Sequence, residues 1–107
     1  MNIEGLREYV LHKEGVEESF PFGEETLVFK VAGKIFLLAG LRNNPVQFNA
    51  KCDPERAISL REEYSSILPG YHMNKKHRNT VILDGSIPAN LVAELIDQSH
   101  NLVKGKK

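Results

Sequence analysis

The most chemically loaded stretch of the chain runs from Tyr71 to Asn79. Tyr71, His72, Asn74, Lys75, Lys76, His77, Arg78 and Asn79 fill eight of its nine positions. Lys and Arg neutralise phosphates, and Asn bonds to base edges or to sugar and phosphate oxygens. Tyr71 or a histidine can stack on an exposed base. These residue types point to nucleic-acid contact, with His72, Asn74, Lys75, Lys76, His77, Arg78 and Asn79 as the candidates. The plainer alternative is a long crossover whose polar groups bond backbone, after a tight turn at Pro69-Gly70.

Other chemistries find less support. His72 and His77 lie five apart with no nearby carboxylates, a poor ligand set for zinc. Cys52 could act as a nucleophile with His72 or His77 as its base. Alternation places it on the inward face of a strand, however, where a thiol is inert. Glu17, Glu18, Glu24 and Glu25 offer carboxylate pairs for acid–base work, but a solvated acidic patch is the simpler reading. The chain has no GxGxxG, Walker loop, HExxH or CxxC pair. No catalytic group, cofactor or metal is expected.

Composition sets the frame for that stretch. The chain has 107 residues, with 14 Lys+Arg, 14 Asp+Glu and a formal net charge of zero. Its length predicts one domain over residues 1–107. A single cysteine excludes an internal disulfide framework. No apolar run is long enough to span a membrane. The start, MNIEGLREYV, lacks a basic region followed by an apolar stretch, so a cytoplasmic location is expected. Zero net charge argues against coating nucleic acid by bulk electrostatics, but the charge is unevenly placed. Residues 1–25 carry seven Glu against Arg7 and Lys13, a net −5. Residues 26–107 carry 12 basic and 7 acidic side chains, a net +5, and end in Lys104, Lys106 and Lys107, read as a solvated tail.

The elements that must position these groups are legible in outline. Ile3, Leu6 and Val10 predict a helix over 3–13, capped by Asn2. Ser19-Phe20-Pro21-Phe22 is read as a sheet edge or loop, because Pro cannot donate to a ladder. Thr26–Val31 alternates, Ala32-Gly33 occupies a hairpin turn, and Lys34–Ala39 is a continuous apolar run that suits a central strand. Val46–Cys52 alternates again, with Gln47, Asn49 and Lys51 outward. Asp53-Pro54 starts a second helix. Residues 65–79 are read as irregular and Thr80–Leu83 as a strand. Ser86 is taken to cap a last helix with Pro88 in its first turn. That helix carries a stripe of Leu91, Leu95, Ser99 and Leu102, widened by Val92, Ile96 and Val103. The order α-β-β-β(-β)-α-β-α predicts an α+β fold. It is a two-layer sandwich, with an antiparallel sheet of about five strands packed against three helices.

Three blocks carry a family resemblance. PGYHMNKKHRNTVILDGSIP (69–88), SFPFGEETLVFKV (19–31) and CDPERA (52–57), the last followed by Leu60-Arg61-Glu62 and Tyr64, resemble the MmcQ/YjbR family of small bacterial proteins. The resemblance covers essentially the whole chain. It implies a fold similar to secretion chaperones and a description, drawn from structure, as DNA-binding proteins with a double-wing motif. Carried over by residue, it places the contact surface at Lys75, Lys76, His77 and Asn79. Where family sequences often have Trp after the histidine, this chain has Arg78, a phosphate-seeking charge in place of an aromatic. The Ala32-Gly33 turn, with Lys30 and Lys34 on its shoulders, is a candidate wing, and Lys51 extends the basic surface if its strand face is open.

The first expectation is therefore a DNA-binding protein that neutralises phosphates through a basic loop. The second is a protein-interaction module without catalytic activity, a homodimer or a peptide binder like the secretion chaperones. The third is an enzyme or small-molecule binder, with a pocket lined by Tyr71, His72, His77 and Glu24 or Glu25.

Overall fold

A computed structural model describes residues 2–42, 45–70 and 77–105. In chain order the elements are α1 (Ile3–Leu11), β1 (Val16–Ser19), β2 (Thr26–Val31), β3 (Lys34–Gly40), β4 (Gln47–Lys51), α2 (Pro54–Glu63), β5 (Ile67–Pro69), β6 (Arg78–Ile82) and α3 (Ala89–Lys104). The strands form one antiparallel sheet in the order β1-β2-β3-β4-β6-β5. The α+β class stands, with six strands rather than about five.

Local chemistry sets most boundaries. Asn2 Oδ1 accepts from Gly5 N at 2.8 Å, and Asp53 Oδ2 accepts from Arg56 N at 3.2 Å. Each satisfies a helix-start donor that would otherwise lack a partner. Ala32 and Gly33 both have positive φ, 54° and 76°, as a two-residue hairpin turn of the tight mirror-image type requires.

The reading of 19–22 as a sheet edge or loop holds: the edge strand β1 pairs from Val16↔Val31 to Ser19↔Val28 and stops short of Pro21, which has no N–H to offer. Two other expectations are corrected. The last strand begins at Arg78, two residues before Thr80, and it pairs with a short β5 inside the stretch read as irregular. Ser86 does not cap α3. Its hydroxyl and N–H both donate to Asp84 Oδ1, at 2.6 and 3.0 Å, and the helix starts after Pro88.

The pleat gives the sheet two unlike faces. Leu27, Leu37, Ala39, Phe48, Ala50 and Val81 share one face. They form the core with Leu6 and Val10 of α1, Ala57 and Leu60 of α2, and Val92, Leu95, Ile96 and Val103 of α3. Burying each of the larger ones (Val, Leu, Ile, Phe) contributes roughly 1.5–3 kcal/mol. On the other face Val28, Leu38, Asn49, Thr80 and Leu68 form one cross-strand row. Between Phe29/Lys30 the β2–β3 register slips by one residue, leaving Phe36 as the extra residue of a bulge. Its carbonyl accepts from Ser99 Oγ, which in turn accepts from Lys51 N at 2.9 Å. One hydroxyl thus joins α3 to both β3 and β4.

Candidate functional site

β3, β4 and β6 alternate in direction, so the start of β3, the end of β4 and the start of β6 lie at the same end of the sheet. The last turn of α3 reaches that end, drawn in by Ser99. The result is a cleft of about 600 Å³. Lys34 and Ile35 come from β3, Lys51 from β4, Arg78 and the preceding His77 from the start of β6, and Leu102, Val103, Lys104 and Gly105 from the end of α3.

Its electrostatics are one-sided. Among the described residues, four permanent cations and a histidine line the cleft, and no Asp or Glu does. The ion pairs among the described residues join Arg7 to Glu18, Lys13 to Asp97, Arg42 to Glu25 and Arg56 to Glu94, so none of them uses a cleft cation. Arg78 and Lys51 are register partners and project from the same face of the sheet. Like charges placed directly opposite one another across a strand pair are destabilising. Arg78 is half-buried. Its Nη2 donates to the carbonyl of Ile35 at 3.1 Å, and Nη1 makes a longer bond to Asn49 Oδ1 at 3.5 Å. Both acceptors are neutral, and burial pushes the guanidinium below its ordinary value. Asn49 is steadied in turn by Thr80, whose Oγ1 accepts from Asn49 Nδ2 at 3.4 Å.

The structure brings Lys34, Lys51, His77 and Arg78 together. It sends Asn79 elsewhere. Asn79 faces the core side, 3% exposed, where its Oδ1 accepts from Arg61 Nε at 2.8 Å and its Nδ2 donates to the carbonyl of Ala57 at 3.4 Å. Both ends of the amide are engaged inside the fold, which takes Asn79 out of the expected contact surface. Tyr71, His72, Asn74, Lys75 and Lys76 lie outside the described residues. Lys104, read as part of a solvated tail, is the last residue of α3 and lines the cleft. The signal for it was its place beside Val103, at the edge of the helix stripe that faces the sheet.

Cys52 is buried and its thiol donates to Gln98 Oε1 at 3.3 Å. Burial pushes its pKa up, so it holds its proton at neutral pH. Among the described residues no three His, Cys, Asp or Glu side chains converge as a metal site would require, and no helix is long and apolar enough to cross a membrane. Phe20 and Phe22, on the β1–β2 connection, are 49% and 66% exposed.

The family model named YjbR matches residues 11–102, a span that includes Lys34, Lys51, His77 and Arg78. The uncharacterized protein YbdF of Escherichia coli O157:H7 is 47% identical over 89 residues, covering 82% of this chain and 72% of that protein. The uncharacterized protein YjbR of Escherichia coli strain K12 is 34% identical over 100 residues, covering 94% of this chain and 85% of that protein. The crystal structure of Deinococcus radiodurans protein DR2400 superposes with a TM-score of 0.93 at 42% identity, over 98% of this chain and 80% of that one. A crystal structure from Pseudomonas syringae superposes with a TM-score of 0.82 at 28% identity, over 96% and 99%.

Proposed function

The chain belongs to the YjbR family, and from that premise we propose that it is a nucleic-acid-binding module that holds DNA by neutralising phosphates and performs no catalysis. One observation carries this reading: a cleft lined by Lys34, Lys51, Arg78 and Lys104 with no acid among its described residues. Cations gathered in a concave site focus their field on an anionic ligand even when the chain as a whole is neutral. The β2–β3 hairpin, with Lys34 beside its turn, is the described part of the double wing in this proposal. A cytoplasmic location belongs to the same proposal.

Fluorescence anisotropy of labelled duplex DNA at about 50 and 200 mM salt tests it. If the four cleft cations each neutralise a phosphate, log affinity falls against log salt with a slope of about −3 to −4. Lys51→Gln with Lys104→Gln flattens that slope by about 2 and leaves melting almost unchanged. Absence of binding at the lower salt sinks the reading.

A second reading, a protein-interaction module, is favoured by the exposure of Phe20 and Phe22. Aromatic side chains are enriched at interfaces relative to the rest of a protein surface. Its homodimeric form fails if light scattering finds a monomer at every concentration tried.

A further inference from the structure

We propose that the cleft receives a nucleoside phosphomonoester, either a free nucleotide or the 5′-phosphorylated end of a strand, in preference to the internal diesters of a duplex. This rests on that part of the proposed function which reads the cleft as a phosphate-binding site, and it names the kind of phosphate that enters it.

Shape is the first argument. At about 600 Å³ the cleft falls within the range of small-molecule sites, which accept one nucleotide. A duplex is too broad to enter and can only lie across the mouth. The second argument is charge. Lys51 and Arg78 stand opposite each other on neighbouring strands, an arrangement that an anion between them would stabilise. Arg78 has no carboxylate partner among the described residues, and the residues outside the description contain no Asp or Glu. A terminal phosphate carries about −1.5 to −2 at neutral pH, more than the single charge of a diester, and presents three acceptor oxygens.

The third argument is the orientation of the guanidinium. The bonds to Ile35 and Asn49 use one proton on each terminal nitrogen. Nε–H and the two other protons remain, and a planar fork fixed in this way suits two oxygens of one phosphate. Gly70 permits the arrangement. A Cβ there would stand 3.0 Å from Arg78 Cβ and 3.1 Å from Asn49 Nδ2, crowding the side chains that set the fork. The fourth argument is the wall of Ile35, Leu102 and Val103, which offers apolar surface to a sugar or base beside a basic phosphate site.

The test is competition against a 3′-labelled, 5′-phosphorylated single strand at low salt, read by anisotropy, with duplex binding measured in parallel. The competitors are AMP, inorganic phosphate, and the same strand with a 5′-hydroxyl. The phosphorylated strand is expected to bind about tenfold tighter than the hydroxyl strand, the worth of one extra charged hydrogen bond. AMP should displace it, and inorganic phosphate should do so much less well. Lys51→Gln with Lys104→Gln should remove the preference while melting stays unchanged. Arg78→Lys, which keeps the charge and loses the fork, should reduce it. Equal affinity for the two strand ends overturns this inference and leaves the nucleic-acid reading standing if the duplex binds. Equal displacement by AMP and inorganic phosphate also overturns it, because no nucleoside is then recognised. AMP binding without any duplex binding supports the inference as a nucleotide site and overturns the DNA reading.

Discussion

Arg78 turns its guanidinium to Ile35 and Asn49 on one face of the sheet, and Asn79 turns its amide to Arg61 and Ala57 on the other. The sequence shows two polar neighbours at the end of a polar run and gives no local sign of that division. Alternation separates them, and partners 18 to 43 residues away satisfy them. This is why a strand that begins with Arg78 reads as loop. Asp84 is a similar case. It accepts from the buried Ser66 hydroxyl at 2.5 Å as well as from Ser86, and these bonds hold its pKa at about 2 against an ordinary 3.8. A carboxylate with a depressed folded-state pKa stabilises the fold fully above its unfolded value. That contribution is lost as pH falls through the folded one. Asp84→Asn should therefore melt below the wild type at about pH 5, and the gap should close between pH 3.8 and about 2. A gap that stays constant across this range would show that the serines do not act through the charge.

Elements with strong local signals are the ones the sequence makes plain. Asn2 and Asp53-Pro54 start helices through their own side chains, and the alternation of 26–31 and 46–52 gives β2 and β4. β1 is harder to see, because Val16-Glu-Glu-Ser19 is short and mostly polar. It is an edge strand, and charges such as Glu17 and Glu18 suit an edge that must not pair with another chain. β5 has only three residues and becomes a strand through its partner, β6. The β2–β3 turn is placed correctly by its glycine, yet Ala32 is held at φ 54°, a region an alanine side chain disfavours. Ala32→Asn should raise stability by about 0.5–1 kcal/mol, read as an increase in melting temperature. An unchanged or lower melting temperature would mean the turn carries no such strain.

At the scale of the whole molecule, zero net charge conceals a division that the fold preserves. The acidic first quarter builds α1, β1 and the β1–β2 connection, at one edge of the sheet. The basic cleft gathers the ends of β3, β4, β6 and α3, and its walls come from positions as far apart as Lys34 and Lys104. The individual cations are visible in the sequence, but their convergence is set by strand order and by where α3 ends. Ser99 fixes that end, since its hydroxyl donates to Phe36 and accepts from Lys51 N. The Lys51 amide proton is therefore shielded by a helix rather than by a neighbouring strand. It exchanges with solvent once its bond to Ser99 opens, so its exchange rate is a clock for the loosening of α3 at the cleft.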